Sequence, residues 1–431
     1  MGKNRYGRKI KKISMESKVK DMSLAEQGRK NIELAEKQMV ALMELQKIVK
    51  KNKPFKGLKI GMALHITKET AVLIKTLQAG GATVIITGCN PLSTQDDVAA
   101  ALVEEGAIVF GHKGESDKEY YEFLNDVIAA KPDITIDDGC DLVSEIHKHH
   151  QDKIPNIIGG CEETTTGVIR IKSMEKSGDL KYPVVAVNDN KTKHLMDNYY
   201  GTGQSTLDGV MRATNFFFAG KTVVIAGYGS CGKGLAMRCK GMGSRVIVTE
   251  VQPFRALQAI MDGHDIMPMN DAAKLGDLFI TVTGNKNVIT AKHARTMKDG
   301  AIMCNSGHFD CEIDIKGISK AARKTRNIRP FMDEYELFGG KKVFILGEGR
   351  LINLAAAEGH PSDVMSLSFC GQVLACEYLV QYKGSLQNKV YQLPEDIDVY
   401  ISELQLSALG KKIDELTKEQ QEYLEGWEVG T

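Results

Sequence analysis

The feature that most constrains the fold is an alternation of two sequence patterns along the first half of the chain. Short apolar runs of strand length alternate with longer stretches that carry apolar residues at helical spacing, such as KETAVLIKTLQAG and DDVAAALVEEG. Strands that alternate with helices pair in parallel, because each helix carries the chain back across a face of the sheet. The pattern predicts a doubly wound parallel α/β sheet with strands at 58–64, 83–88, 107–111, 133–137, 156–160 and 183–187.

The alternation begins a second time at KTVVIAG, residues 221–227, and continues through RVIVTE, DLFITVTG, GAIMCNSG and KKVFILGEG. The chain has 431 residues, which is more than the size of about 250–300 residues at which a single core stops growing. We therefore predict two Rossmann-like α/β domains, with a boundary near residues 190–205, and a small C-terminal segment.

Charge and cysteine content argue against several classes of protein. Lys plus Arg number 56 against 55 Asp plus Glu, so no net field favours nucleic acid or an anionic membrane. No run of about 18 apolar residues and no apolar leader is present, which argues against a membrane span and against secretion.

The nine cysteines contain no CxxC pair, so we expect neither a disulfide framework nor a zinc site, and we expect a reducing, cytoplasmic compartment. The HKHH run at 147–150 is interpreted as a solvated helix end, and no metal is predicted.

Polar side chains follow five of the six predicted strands of the first series. In an open parallel sheet, ligands bind beyond the carboxyl ends of the strands. A single polar pair would be explained as a helix cap, which remains the simpler interpretation of Thr94, Asp141 and Thr164. Five pairs along one edge instead predict a site for a polar small molecule. The pairs are His65 with Thr67, Cys89 with Asn90, Asp137 with Asp138, Glu162 with Glu163, and Asn188 with Asp189.

Lys193 and Asp197 follow the last of these strands at a spacing of i and i+4, which places them on the same face of a predicted helix. One interpretation is a surface ion pair of little energetic value. The other is a lysine whose pKa is tuned by the carboxylate, so that its amine can take a proton near neutral pH.

The run VVIAGYGSCGKGLAM contains Gly227, Gly229 and Gly232 at the spacing G-x-G-x-x-G. A strand pattern precedes these glycines and a helical pattern follows them, so they predict a turn that holds a pyrophosphate at a helix N-terminus. The next strand pattern ends at Glu250, whose carboxylate would bind an adenosine ribose and repel the extra phosphate of NADP. The sequence therefore favours NAD, while the nearby Arg255 leaves NADP open.

Polar residues also follow the later strand patterns, at 281–284, 305–310 and 348–353. His308 and His360 each lie at a glycine turn beside a strand end or a strand-like run. Each is either a buried structural histidine or a functional one, and the sequence leaves both interpretations open.

Seven ordered motifs carry a resemblance to one enzyme family. They are CNPLSTQDD, DDGCDL, EETTTGV, VNDNKTKHLMDN, AGYGSCGKG, NSGHFDCEI and EGRLINLAAAEGHP. Together they resemble the S-adenosyl-L-homocysteine hydrolases, from about residue 22 almost to the end of the sequence. The resemblance implies reversible conversion of S-adenosyl-L-homocysteine into adenosine and homocysteine by an enzyme that holds NAD tightly.

The chemistry implied by the resemblance explains why a hydrolase uses a redox cofactor. Carbon C5′ of the thioether is poorly activated. Oxidation of the 3′-hydroxyl to a ketone acidifies the hydrogen on C4′, so a modest base can remove it. Homocysteine then leaves by elimination, water adds at C5′, and the ketone is reduced back to the alcohol.

By motif position, the resemblance implies roles for individual residues. The resemblance implies that Lys193 is the base for the 3′-hydroxyl and that Asp138 is the acid/base group at C4′. It also implies that His65 and His308 flank C5′. The implied catalytic set is Lys193, Asp197, Asp138, Glu163, His65 and His308. The implied substrate-binding set is Thr67, Glu69, Asn90, Asp138, Glu163, Lys193, Asp197 and His360. The implied cofactor-binding set is Thr164, Thr165, Thr166, Asn198, Gly227, Gly229, Gly232, Glu250, Asn305 and Asn353.

The resemblance also implies a domain division and an assembly. The predicted division assigns 1–20 to a basic flexible tail, 21–195 with 359–390 to a substrate-binding domain, 196–358 to an NAD-binding domain and 391–431 to a C-terminal segment. A homotetramer is implied, with neither nucleic acid nor membrane as a partner. The sequence ends in EYLEGWEVGT without the Lys- and Tyr-bearing tail of longer members, so it resembles the shorter type.

Alternative functions remain at this point. Some relatives of the shorter type are thought to prefer S-inosyl-L-homocysteine, and Glu69 is the residue predicted to discriminate adenine from hypoxanthine, because a carboxylate only accepts hydrogen bonds. An NAD-dependent 2-hydroxyacid dehydrogenase would share the cofactor domain and a histidine, although the long first domain with its polar edge argues against it. A catalytically silent binding protein would have lost Lys193, Asp197, Asp138 or a histidine, and none is lost.

Overall fold

The computed structural model describes residues 15–427, so most of the predicted basic tail and the last four residues lie outside the described part. The first half contains α1 Ala25–Gln38, α2 Val40–Asn52, β1 Lys59–Ala63, α3 Lys68–Ala79, β2 Thr83–Thr87, α4 Asp96–Glu104, β3 Ile108–Phe110, α5 Asp117–Ala129, β4 Ile134–Asp137, α6 Asp141–His149, β5 Gly159–Glu162, α7 Thr165–Ser177, β6 Val184–Ala186 and α8 Lys191–His194.

The second half begins after a π-helical turn, Asp197–Gly201. It contains α9 Thr202–Thr214, β7 Thr222–Ala226, α10 Ser230–Gly241, β8 Arg245–Thr249, α11 Pro253–Met261, β9 Asp265–Ile266, α12 Met269–Ala272, β10 Leu278–Thr281, α13 Ala291–Thr296, β11 Ala301–Asn305, α14 Ile315–Lys320, β12 Ala322–Arg329, β13 Met332–Leu337, β14 Lys342–Leu346, α15 Ile352–Ala355, α16 Ser362–Gln381, β15 Val390–Tyr391, α17 Glu395–Ala408 and α18 Lys418–Glu425.

Seven strands form the first sheet in the order β15-β6-β5-β4-β1-β2-β3, and every neighbouring pair is parallel. The central strands are buried almost throughout, as expected when helices cover both faces of a parallel sheet. The chain runs outward from β1 to β3 and returns on the other side of β1 with β4. The loops after β1 and β4 therefore diverge and leave a crevice, at which Ala63 and Asp137 are register partners.

Eight strands form the second sheet in the order β12-β13-β14-β11-β10-β7-β8-β9. Its strands are parallel from β14 to β9. The chain adds β8 and β9 on one side of β7 and then β10 and β11 on the other side, where Ala226 of β7 pairs with Thr281 of β10. Strands β12 and β13 pair in antiparallel fashion, and β13 also runs antiparallel to β14. The second sheet thus has its own crevice, just after the strand that precedes the glycine turn.

The predicted fold class of two doubly wound Rossmann-like domains is confirmed, with particular differences. Strand β5 begins at Gly159 rather than at residue 156, because residues 151–156 form a short 3₁₀ helix that contains Pro155. The hairpin of β12 and β13 is absent from the predicted strands. Its outer strand, ARKTRNIR, is almost entirely exposed and carries neither an apolar run nor the apolar alternation by which strands are recognised.

Helix α16 is long and apolar enough to cross a membrane by length and composition alone. In the fold, 61 % of its apolar window is buried, and it packs against α2, α3, α17 and β5 as a core helix. Strand β15 extends the edge of the first sheet, and Ile401 of α17 belongs to the same apolar core. Strand β15 and helix α17 of the C-terminal segment therefore return to the first sheet, whereas α18 has no buried residue, and the exact domain division stays a prediction.

Helix α8 is a single turn that is held by a distant residue. Asp398 of α17 accepts hydrogen bonds from the backbone N–H groups of Lys191 at 2.8 Å and of Thr192 at 2.9 Å. A helix of this length is not stable by itself, so this carboxylate cap fixes where α8 begins. The continuous helix expected across Lys193 and Asp197 is interrupted, because the π-helical turn starts at Asp197. Such turns are frequent at functional sites.

Candidate active site

A cavity of about 1010 Å³ lies between the carboxyl edges of the two sheets. Pockets for one small molecule measure about 300–1,000 Å³, so this cavity is at the upper end of that range, and residues of both sheets line it. Most of the residues singled out from the sequence line it. They are His65, Thr67, Glu69, Asp138, Glu163, Thr164, Thr165, Thr166, Lys193, Asp197, Asn198, Gly227, Gly229, Glu250, His308, Asn353 and His360.

Asp138 lies at the crevice of the first sheet, between two histidines. Its Oδ2 atom is 3.4 Å from Nε2 of His65, and its Oδ1 atom is 3.4 Å from Nδ1 of His308. His308 follows β11 of the second sheet, so this group joins residues from both sheets. Gly139 makes room for it: the glycine has a φ of +103°, and a Cβ there would lie 2.1 Å from Nε2 of His308.

Burial sets the protonation of two groups at this end of the cavity. Burial lowers the pKa of His65 to about 4, although the Asp138 carboxylate opposes the shift. Burial also raises the pKa of the Cys89 thiol well above its usual value, and Asp138 adds to that shift. At neutral pH, His65 is therefore a neutral imidazole and Cys89 a protonated thiol.

His65, Cys89 and Asp138 each bring a possible metal-ligand atom within 4.8 Å of one another. A thiol must lose its proton to bind zinc, and the raised pKa of Cys89 opposes that loss. The expectation that the protein holds no metal stays a prediction.

The HKHH run was expected to be a solvated helix end, which is wrong for His147. This histidine is buried, with Nδ1 2.7 Å from the Val143 carbonyl oxygen and Nε2 3.1 Å from the Lys181 backbone nitrogen.

Lys193 forms the second ionisable group of the cavity. It is 4 % exposed, and its Nζ lies 3.1 Å from Oδ2 of Asp197 and 3.8 Å from Oε1 of Glu163. The ammonium also donates to the amide oxygens of Asn198 at 2.7 Å and Asn188 at 3.3 Å. The surface ion pair is therefore the wrong interpretation, because the pair lies in the interior at the cavity wall.

The charge of Lys193 differs from the expectation of an amine tuned towards neutral pH. Burial alone would lower the pKa of its ammonium, but the carboxylates of Asp197 and Glu163 outweigh burial and raise the pKa. Without a ligand, Lys193 is thus an ammonium, and it accepts a proton only after it has passed one to a neighbour. Burial raises the pKa of Glu163 to about 7, so Glu163 is the neighbour able to carry a proton at neutral pH.

Asp197 remains ionised in spite of its burial. Burial favours its neutral form, but Lys193 and then His360 outweigh that effect and hold the pKa of this carboxyl below its usual range. Its Oδ1 atom pairs with Nδ1 of His360. Gly201 of the π-helical turn allows this contact, since a Cβ there would lie 3.0 Å from the His360 ring and 3.2 Å from Oδ1 of Asp197.

Helix α16 orients Glu163 through two polar residues. The Ser368 hydroxyl donates to Oε1 of Glu163, and the Gln372 amide donates to Oε2. Both α16 residues are fully buried. Their hydrogen bonds fix the carboxyl group beside Lys193, which explains why an otherwise apolar core helix carries them.

Glu69 lies at the start of α3, where Thr67 caps the helix by accepting the Thr70 backbone N–H. The Ser362 hydroxyl donates to Oε1 of Glu69 at 2.6 Å, and Nζ of Lys68 lies 3.4 Å from the same oxygen. Within the described residues, Oε2 of Glu69 makes no hydrogen bond. This wall of the cavity therefore presents a hydrogen-bond acceptor to a ligand.

The glycine turn has the geometry that a dinucleotide requires. Gly227 has a φ of +103°, and a Cβ on Gly232 would lie 2.0 Å from the Gly227 carbonyl oxygen. Next to Gly229 the backbone is bare, because a Cβ there would meet only a guanidinium nitrogen of Arg255 at 3.8 Å. Glu250 directly follows β8 beside this turn, where its Oε2 accepts the backbone N–H of Tyr228 at 2.8 Å. Bare backbone, a helix N-terminus and a carboxylate together fit a pyrophosphate and a ribose.

Asn353 supplies a further observation on the cofactor site. Its amide nitrogen donates to Oγ of Ser205 at 3.1 Å, while its amide oxygen is buried and has no partner among the described residues. An unpartnered buried acceptor at a cavity wall is satisfied when a ligand donates to it. A nicotinamide carboxamide has such a donor, so the residues present fit NAD.

Asn90 and Asn305 differ from their expected roles, because neither lines the cavity. The amide oxygen of Asn90 accepts the Leu92 backbone N–H at 3.0 Å and holds the turn after β2. The amide group of Asn305 accepts the Gly307 backbone N–H and donates to the Gly307 and Phe309 carbonyl oxygens. Both therefore hold their own loops. The Asn305 amide uses both of its polar atoms there, whereas the Asn90 side chain uses its amide oxygen and its amide nitrogen makes no hydrogen bond within the described residues.

Several supporting residues went unrecognised in the sequence. Ser362, Ser368 and Gln372 lie on α16, where polar residues within an apolar helical run were the available signal. The sequence also gives no signal for Ser93, because this residue lies in the loop between Asn90 and Thr94 and does not directly follow a strand.

The two sheets and their shared cavity define the class: a dinucleotide-dependent enzyme that moves protons on a second, polar ligand. One family model that matches, over residues 198–359, is described as the S-adenosyl-L-homocysteine hydrolase NAD-binding domain. Another, described as S-adenosyl-L-homocysteine hydrolase, matches residues 16–157.

Curated relatives of similar length agree with these family models. The chain is 57 % identical over 418 residues to the adenosylhomocysteinase of Saccharolobus solfataricus, covering 97 % of this chain and 100 % of the relative. It is 55 % identical over 418 residues to the adenosylhomocysteinase of Aquifex aeolicus, with the same coverage. It is also 54 % identical over 413 residues to the S-inosyl-L-homocysteine hydrolase of Methanocaldococcus jannaschii, covering 96 % of this chain and 99 % of the relative.

The chain belongs to the S-adenosyl-L-homocysteine hydrolase family, and it is an NAD-dependent enzyme of that family. Because the chain belongs to this family, the alternative of an NAD-dependent 2-hydroxyacid dehydrogenase is wrong.

The glycine turn yields a matched pair of variants. Gly232→Ala places a Cβ against the Gly227 carbonyl oxygen at 2.0 Å, so the turn must open and NAD affinity should fall by about tenfold or more. Gly241 is the last residue of the same helix, and a Cβ there would meet nothing within 4 Å. The control variant Gly241→Ala should therefore bind NAD as the parent does. Calorimetric titration of NAD into both apo variants measures the difference, and equal affinities would contradict the assignment of the turn.

Proposed function

We propose that the protein reversibly hydrolyses S-adenosyl-L-homocysteine to adenosine and homocysteine. The observation that carries the proposal is the presence of two separate proton-handling groups on one cavity, beside a dinucleotide turn. One group is Lys193 with its carboxylates, and the other is Asp138 between His65 and His308. A reaction that removes protons at two positions of one sugar needs two such groups.

NAD, held by Gly227, Gly229, Glu250, Thr164 to Thr166, Asn198 and Asn353, would supply reversible oxidation at C3′ of the ribose. Lys193 binds the 3′-hydroxyl oxygen and removes its proton. Since the resting Lys193 is an ammonium, its own proton first moves to Glu163, whose pKa of about 7 suits a carrier. Asp197 stays ionised and orients Lys193, and His360 holds Asp197 in place.

The second group acts at C4′ and C5′. Asp138 takes the C4′ proton, which the neighbouring 3′-ketone makes acidic. The C5′–S bond then breaks and homocysteine leaves, after which water adds to C5′ beside His65 and His308. Asp138 returns its proton to C4′. Its position between two histidines keeps a proton donor or acceptor within reach of both carbons.

Adenine is the base that we propose for the substrate. The free oxygen of Glu69 accepts a hydrogen bond, which suits the exocyclic amine of adenine and opposes the carbonyl oxygen of hypoxanthine. Thr67 lies beside it at the start of the same helix. The second candidate is S-inosyl-L-homocysteine, which is favoured by the names of two relatives with 54 % and 52 % identity.

We also propose a homotetramer in a reducing cytoplasm, with the domain division given above and with small molecules as ligands. Large apolar side chains on α11 support self-association, among them Phe254 at 67 % exposure and Met261 at 77 %. Trp427 at the other end of the described chain is 89 % exposed. All nine cysteines are free thiols, which accords with a reducing compartment.

Removal of the Lys193 charge tests the first step. Lys193→Met keeps most of the side-chain volume, and it should bind nucleoside yet reduce bound NAD about 10²-fold more slowly on addition of adenosine. Stopped-flow absorbance of the bound cofactor measures the rate, with a thermal melt as the check on folding. Lys191→Met is the matched control, because Lys191 lies exposed in the same helical turn. A parental rate in Lys193→Met would contradict the role of this lysine.

Glu69 tests the substrate. The parent should cleave S-adenosyl-L-homocysteine in preference to S-inosyl-L-homocysteine, and Glu69→Gln should lose much of that preference because an amide also donates. Values of kcat/KM for both compounds, read by thiol release, measure the effect. Equal or faster cleavage of the inosine compound by the parent would replace adenine with hypoxanthine in the proposal.

A further inference from the structure

Ser93 is a buried serine that none of the proposed steps uses, and it contacts the ring of His65. Its Oγ atom lies 2.8 Å from Nδ1 of His65 and 2.9 Å from the backbone carbonyl oxygen of Asn90. A serine hydroxyl has one hydrogen to donate, and a carbonyl oxygen has none. Because the hydroxyl donates to the Asn90 carbonyl, Oγ is left to accept a hydrogen bond from Nδ1–H of His65.

The other side of the ring agrees with this assignment. Nε2 of His65 lies 3.4 Å from Oδ2 of Asp138, which is longer than the usual range of about 2.7–3.2 Å for an N–H···O hydrogen bond. The two contacts of Ser93 fall within the hydrogen-bond range. A proton on Nδ1 and a lone pair on Nε2 therefore account for all three distances.

Cys89 is compatible with the same arrangement. Its Sγ atom lies 3.2 Å from Nδ1 of His65 and 3.8 Å from Oδ2 of Asp138. A protonated thiol can donate weakly to the carboxylate while its sulfur weakly accepts part of the Nδ1–H. Thus Ser93 and Cys89 both lie beside Nδ1, while Nε2 faces Asp138.

We propose that Ser93 is a positioning residue that holds His65 as the Nδ1–H tautomer, so that Nε2 takes the proton of the water that adds to C5′. The inference rests on the proposed function for its chemical consequence. In that step the water oxygen bonds to C5′ and the C4′=C5′ double bond breaks. One water proton passes to Nε2 and then to the homocysteine thiolate that the elimination released, and Asp138 gives its proton to C4′, so the sequence balances and His65 and Asp138 return to their starting forms.

The tautomer decides whether this step works. If Nε2 carried the proton, it would point at the Asp138 carboxylate and have no lone pair for water. A wrong tautomer in a catalytic imidazole costs several orders of magnitude in other enzymes. Charge attraction to Asp138 favours that unproductive form, so an acceptor is required at Nδ1 to oppose it.

Three variants isolate the hydrogen bond. Ser93→Ala removes the acceptor, Ser93→Thr keeps a hydroxyl in its place, and Thr94→Val alters the adjacent buried hydroxyl, which makes no hydrogen bond to His65. Ser93→Ala should reduce bound NAD on addition of S-adenosyl-L-homocysteine at the parental rate but form adenosine about 10²-fold more slowly. Ser93→Thr should recover much of the lost rate, and Thr94→Val should match the parent. Equal losses in both steps, or equal losses in the alanine and valine variants, would indicate a merely structural role.

A spectroscopic measurement decides the tautomer without turnover. With ¹⁵N-labelled histidine, the ring signals of His65 are assigned by their absence in His65→Gln. The parent should show a protonated Nδ1 and an unprotonated Nε2, and Ser93→Ala should show the reverse. A protonated Nε2 in the parent would overturn the proposal for Ser93. If the parent instead fails to reduce bound NAD with S-adenosyl-L-homocysteine, the proposed function fails while the tautomer assignment stands.

Discussion

The structure depends on one interaction, the burial of the Lys193 ammonium among Asp197, Glu163 and two asparagine amides. Such a charge is tolerated only because its partners are buried with it, and removal of one partner of a buried pair typically costs about 3–5 kcal/mol. The surrounding fold serves this requirement. Asp398 caps the single turn that carries Lys193, the π-helical turn presents Asp197, and α16 fixes Glu163.

The two sheets explain why the chemistry gathers at one cavity. In each sheet the order in which the chain adds parallel strands reverses once, and each reversal opens a crevice at the carboxyl ends of the strands. The crevice of the first sheet brings the residues after β1 next to those after β4, which places His65 beside Asp138. The crevice of the second sheet lies next to the glycine turn. His308 crosses from the second sheet to Asp138, so only the two sheets together complete the site.

Much of this arrangement was predictable from the sequence because it follows from strand ends and glycines. The parallel strands, the glycine turn and the lining positions of Asp138, Lys193 and Glu250 follow from local patterns. Tertiary effects were not predictable. The sign of the Lys193 pKa shift depends on distances to two carboxylates, and Asn90 and Asn305 proved to bind their own loops. Ser93 and Gln372 act through partners that are remote in sequence or on another element, which no local pattern reveals.

The central claim is that the thioether is broken after removal of the C4′ proton, by a group other than the one that serves the 3′-hydroxyl. Its most direct test is complete turnover of S-adenosyl-L-homocysteine in D₂O, with the adenosine product analysed by proton NMR. The account predicts deuterium at C4′, because Asp138 exchanges with solvent while water enters and product leaves. Complete conversion to adenosine that retains protium at C4′ would contradict it and would indicate direct displacement at C5′.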